Sequence, residues 1–193
     1  MEQHFKYRNI AISSKPGAGR STLFNNLKLI LEPLGWRFFS GGEFSRQYAI
    51  EHGLFDPKNT FHHNASIYTD EIDLEIDVEM RNKLEKEKHY VVESWIAGYN
   101  MRDVKGVLKV LLICDEALLI DRIVNRDNLT VEQAKQNIRE REEKNLTKWR
   151  KMYGVTDFWD PQYHDLVIDT YSSGPMETLG KVLDKLGYKN HRQ

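Results

Sequence analysis

"ISSKPGAGRSTLFNNL", residues 12–27, runs from an apolar segment through two glycines into a helix-like one. A strand, a glycine-bearing turn and a helix are what such a stretch forms. Gly17 and Gly19 permit positive φ and a close approach of the backbone to an anion. Successive N–H groups then converge as a nest, and the following helix adds partial positive charge at its N-terminus. The stretch departs from the pattern G-x-x-x-x-G-K-[ST] at two positions. Ser14 stands for the first glycine and Arg20 for the lysine. Arginine keeps the positive charge but is bulkier, planar and bidentate. Lys15, Gly17, Ala18, Gly19, Arg20, Ser21 and Thr22 are therefore the candidate phosphate-binding residues. Ser21 also offers a hydroxyl to Mg²⁺. Lys15 either points outward or shares the work of the missing lysine.

Further along the chain, four more apolar runs read as buried strands: "WRFFS", "YVVES", "VLKVLLI" and "DLVIDT". Helical patterns lie between them. In "STLFNNLKLILEPL" Leu23, Leu27 and Ile30 share one face, and Pro33-Leu34-Gly35 ends it. "MRNKLEKEK", "DEALLIDRIVNR" and "METLGKVLDKLG" are the others, with Gly187 as a C-cap. Alternating strands and helices imply an α/β fold with a parallel sheet covered on both faces. Such sheets bind ligands at the carboxyl ends of their strands, where residues 14–22 fall. Two helical segments interrupt the alternation, at about residues 40–80 and 126–155. Thr130 and Gln133 form a capping box at the start of the second. Both read as insertions over the sheet ends, within a single domain of 193 residues.

Composition narrows the function classes. Lys and Arg total 28 against 29 Asp and Glu, so nothing marks a general binder of nucleic acid polymers. One cysteine, Cys114, excludes an internal disulfide framework and a cysteine-based zinc site, and it reads as a small buried hydrophobe. The N-terminal "MEQHFKYRN" lacks the apolar core of a secretory signal, and no apolar run approaches the roughly 20 residues that span a bilayer. A cytoplasmic chain without membrane contact is expected. His62 and His63 are adjacent, so on a helix they would point differently and make a poor metal pair.

With the loop, "FSGGEFSRQYAIEHG" and "RIVNRDNLTVEQAKQNIREREEKNLTKWRKMYGV" taken in order, the chain resembles the cytidylate kinase family, in particular its short, archaeal-type members. The resemblance covers nearly the whole chain. It implies a three-layer P-loop NTPase fold with a five-stranded parallel sheet, a helical monophosphate-binding insert and a helical lid. It implies transfer of the γ-phosphoryl of ATP to CMP or dCMP with Mg²⁺, by a monomer whose partners are small nucleotides. Arg46 matches the arginine that grips the acceptor's phosphate, a task suited to a guanidinium fork. Asp73, in "YTDEIDLEID", lies four residues before Asp77 on one helix face; a carboxylate there can accept from a cytosine amino group. Glu93, after the third strand, matches the acidic residue that holds Mg²⁺ with Ser21. Arg122, Arg126, Arg139 and Arg141 lie in or before the lid. Arg122 is assigned to ATP, and Arg141, with Arg20, to the moving phosphoryl group.

Four departures concern anion or substrate handling. Arg20 is the first. Glu93-Ser94-Trp95 stands where Glu-Gly-Arg is common in the family, Lys148-Trp149 replaces an Arg-Tyr pair, and Leu74 occupies a position that is often basic. Trp95 either stacks on a base or sugar or anchors the core. The departures keep two alternatives open: an ATP-binding protein with weakened catalysis, and a P-loop kinase for a non-nucleotide acceptor.

Overall fold

The computed structural model describes residues 4–53 and 68–189; His62 and His63 lie outside them. Five strands form one sheet in the order β2-β3-β1-β4-β5. They are β1 (Asn9–Ser14), β2 (Arg37–Ser40), β3 (Tyr90–Ser94), β4 (Val107–Ile113) and β5 (Leu166–Asp169). All neighbours pair in parallel, with Ile10 opposite Val91 and Leu108. The central runs β1, β3 and β4 are mostly buried on both faces, and the edge strands β2 and β5 are only partly covered. Every residue of β1 is buried, polar ones included, and parallel sheets covered by helices select such runs.

Helices α1 (Arg20–Leu31), α2 (Gly41–Glu51), α3 (Asp70–Lys86), α4 (Ala97–Asn100), α5 (Glu116–Asp127), α6 (Val131–Tyr153) and α7 (Pro175–Leu186) complete the layers. Leu23 and Leu27 of α1 are buried against Ile10, Ile12 and Val182, and Ile30 packs beside them. On the other face Met80 and Leu84 of α3 meet Val92, Ala97 and Met101. A 3₁₀ turn over Glu32–Leu34 and Gly35, at φ 82°, end the first helical run where Pro33 forbids its continuation. Thr130 and Gln133 make the reciprocal capping box of α6. The α4 turn has no counterpart in the sequence reading; four residues are too short for periodicity to register.

One expectation needs correction. Cys114 is partly rather than fully buried, packed beside the core with Arg122 Nη1 3.6 Å from its sulfur. It ends the apolar run at the mouth of the sheet, so its far side meets the polar site.

Helix α6 divides in two by packing. Its C-terminal half sets Trp149 against Ile96, Tyr99 and Phe158 in a separate aromatic cluster. Its N-terminal half packs on α5, through Ala134 and Ile138 against Ile120 and Ile123. Among the described residues, no helix is long and apolar enough to cross a membrane.

Candidate active site

The loop between β1 and α1 holds Gly17 at φ 80° and Gly19 at φ 89°, in the left-handed region that glycine tolerates. A side chain at Gly17 would also press on Leu119, whose carbonyl oxygen lies 3.1 Å from the position a Cβ would take. Ser14 is not among the described positive-φ residues, so β1 can end here without a glycine. Its Oγ donates to the Lys15 carbonyl at 2.8 Å. Gly19 caps α1 without a side-chain hydrogen bond, and the first turn holds no acidic residue. The N–H groups of that turn thus face an anion site without an internal competitor.

Two cavities open beside this loop. One, of about 580 Å³, is lined by the loop from Ser14 to Thr22, except the buried Ala18, and by Arg122, Arg126, Thr170 and Pro175. The other, of about 360 Å³, lies between the loop and the first insert, lined by Arg46, Tyr68, Asp73, Asp77, Met80 and Trp149 among others. Arg20, Ser21, Trp95 and Arg141 line both. The cavities therefore meet at those four residues.

The cations divide between free and committed. Arg20 turns back into the protein: Nε donates to Glu93 and Nη1 to the Ser14 carbonyl at 2.9 Å. Lys15 turns outward to the lid, paired with Glu142 and 5.1 Å from the Trp159 ring centre. Arg122 buttresses the loop from behind, donating to the Gly17 carbonyl at 3.1 Å and to Thr170. Arg126 pairs with Asp127 at 2.7 Å. Arg139 is exposed and lines neither cavity, as its two-residue offset from Arg141 requires. Arg141 reaches the junction, and its buried Nε has no hydrogen-bond partner. Burial, then the charges of Arg126, Arg20 and Arg46, push its pKa down to about 10. Arg141 thus adds positive charge to the junction, whereas the charge of Arg20 is met by Glu93.

Ser21 and Glu93 are the junction's oxygen donors, the type Mg²⁺ takes alongside retained waters and substrate phosphates. The described residues contain no cluster of three or more His, Cys, Asp or Glu able to hold a metal ion, so nucleotide phosphates would complete any such site. Glu93 accepts from both Arg20 and Ser40. The donor set fits an ion reached through water, or directly once Arg20 releases one oxygen.

The smaller cavity has an acidic end. Asp73 pairs with Lys148 at 2.7 Å; burial raises its pKa and Lys148 opposes the rise. Lys148 also donates to the Tyr68 and Thr69 carbonyls, tying α6 to the start of α3. Asp77 accepts from the Tyr153 hydroxyl. Burial, reinforced by the charge of Asp73, pushes the Asp77 pKa up to about 7. The native carboxyl therefore holds its proton more tightly than the unfolded chain, whose value is near ~3.9. Stability falls as pH rises from about 4 to about 7, because only the unfolded state has released the proton. Asp77→Asn should flatten that limb of a melting-temperature profile between pH 5 and 8. An unchanged slope would show that Asp77 does not cause it.

Ser40 joins the site without having been singled out in the sequence. Its Oγ caps α2, accepting from the Glu43 N–H at 3.2 Å, and donates to Glu93. The signal was present: Ser-Gly-Gly-Glu at 40–43 is a capping-box pattern. Trp159, whose Nε1 donates to the Trp95 carbonyl at 2.9 Å, had no such signal.

A cytidylate kinase of Sulfurisphaera tokodaii is 31% identical over 177 residues, 91% of this chain and 92% of its own. One from Pyrococcus furiosus is 32% identical over 168 residues, covering 86% and 81%. Among solved structures, an uncharacterized protein from Eubacterium ventriosum superposes with TM-score 0.67 at 15% identity, covering 94% of this chain and 99% of that one. A gluconokinase from Sinorhizobium meliloti gives 0.59 at 14%, covering 95% and 93%; at such identities both speak for the fold alone. The sequence model of the cytidylate kinase-like family matches residues 9–172, and the chain is a phosphotransferase that belongs to that family.

Proposed function

We propose that the chain transfers the γ-phosphoryl group of ATP to a nucleoside monophosphate, with CMP or dCMP as the acceptor. One observation carries the reading: two cavities share Arg20, Ser21, Trp95 and Arg141. A donor in the loop cavity and an acceptor in the smaller one would meet end to end there, as in-line displacement requires. The relatives named cytidylate kinase support the choice of acceptor.

The residues divide the work. Loop N–H groups and the α1 N-terminus hold the donor's phosphates, with Gly17, Ala18 and Gly19 supplying the close approach and Thr22 lining the wall. Arg122 fixes the loop from behind, through Gly17. Arg46 takes the acceptor's phosphate. Asp73 and Asp77 face the base, where a carboxyl oxygen accepts from an exocyclic amino group. Arg141 meets the charge that moves between the two. Mg²⁺, held through Ser21 and Glu93, would neutralise donor phosphate charge.

A second reading follows from Arg20. With its guanidinium held by Glu93 and the Ser14 carbonyl, it is not free to span the donor phosphates as a lysine would. A chain that keeps this pairing binds ATP and turns over slowly. Coupled ADP release, with CMP, dCMP, UMP and AMP offered separately, decides between the readings. Turnover with CMP or dCMP above the other two is expected. Activity with AMP alone, or with none of the four, would defeat the cytidylate assignment, and ATP binding without turnover would favour the second reading.

A further inference from the structure

We propose that Trp95 is a positioning residue, whose indole face holds the Arg141 guanidinium at the junction of the two cavities without neutralising it. The inference rests on the phosphoryl-transfer reading for its role, and on contacts for its geometry. The Arg141 guanidinium carbon lies 5.2 Å from the Trp95 ring centre, within the range of a cation–π contact. Both residues line both cavities.

Arg141 needs such a holder. It is repelled by Arg20, Arg46 and Arg126 and is largely taken out of water. A carboxylate would hold it firmly but would compete with every incoming phosphate. An aromatic face attracts the cation through its quadrupole, weakly enough to yield to an anion. It also leaves the N–H groups at the guanidinium edge unspent, and the buried Nε has no partner. An arginine at position 95 would instead add another positive charge to the same junction.

Trp95 is itself held still. It directly follows β3, its carbonyl accepts from Trp159 Nε1 at 2.9 Å, and its ring packs edge-on against Trp149 at 5.7 Å. The contact therefore joins the sheet, through Trp95, to the lid helix that carries Arg141.

The test is a double-mutant cycle on Trp95→Leu, Arg141→Met and the pair, read by calorimetric titration of the full chain with tripolyphosphate and with ATP. Trp95→Leu should weaken binding about threefold to tenfold, the span of an interaction of this type. The pair should bind no worse than Arg141→Met alone, because the tryptophan acts only through the arginine. Additive losses would overturn the proposal. Trp95→Tyr should restore at least half of the loss on a logarithmic scale, since a smaller ring still presents a face. If Trp95→Leu fails to fold, Trp95→Tyr and Trp95→His carry the same comparison, and equal binding by wild type and both would also overturn it. Binding does not depend on turnover, so a chain inactive on all monophosphates would refute the transferase reading and leave this cycle to be judged by itself.

Discussion

Arg141→Ala should lower kcat about 10²- to 10³-fold while changing the dissociation constant for ATP by no more than about tenfold. The scale is that of removing one preorganised group from a developing charge. The split follows from position. Arg141 lies where the two cavities meet, not along the loop that cradles the donor. Its surroundings oppose its charge, and the pKa of about 10 leaves it protonated at neutral pH all the same. A guanidinium in that condition gains most when negative charge arrives, and the transferring phosphoryl group brings the most. Single-turnover measurements beside ATP titration separate the two effects. Equal losses in both, or no loss in either, would remove Arg141 from the transfer step. Arg139→Ala is the matched control: it is exposed outside both cavities and should leave both constants within about twofold.

The second large effect concerns stability. Arg20→Met should destabilise the fold by about 2–3 kcal/mol and abolish measurable transfer. Side chains of Arg20 and Glu93 are only 14% and 6% exposed. Removing one partner of a buried ion pair typically costs about 3–5 kcal/mol, because the remaining charge is left without compensation. Glu93 keeps the Ser40 hydroxyl as a donor, and the adjoining cavities admit water, so the lower figure is expected. Arg20→Lys should retain the charge pair and lie within about 1 kcal/mol of the parent. Denaturant unfolding of the two variants measures the difference. Equal stability of Arg20→Met and the parent would show that the pair contributes nothing. The same experiment bears on function: transfer that rises in Arg20→Lys would mean that the guanidinium's hold on Glu93 limits the parent.

The pairing also links the walls of the two cavities. Glu93 accepts from Arg20 of the loop and from Ser40, the cap of the first insert helix. One carboxylate thus touches both the donor loop and the element that carries Arg46. On the far side of the smaller cavity, Lys148 with Asp73 and Tyr153 with Asp77 tie the lid helix to the acidic helix. The smaller cavity is bounded by contacts of both kinds.

Much of this was legible locally. Five apolar runs, two glycines before a helix, a capping box at Thr130 and a C-cap at Gly187 each report on neighbours within a few residues. Backbone conformation and burial periodicity act at that range, so the sheet, the loop and the long helix after Thr130 could be read from the chain. Arg141 could be separated from Arg139 because two residues on a helix face different ways. What the residues do to one another was not legible. Arg20 meets Glu93 across 73 positions and Asp77 meets Tyr153 across 76. Trp95 could be stacking platform or core anchor until its ring was found between Trp149 and the Arg141 guanidinium. Local spacing determined which elements form and where the phosphate loop falls. Only the packed sheet decided which cations stay available for a phosphate, because pairing energy depends on distance and burial in space, and neither is written in sequence separation.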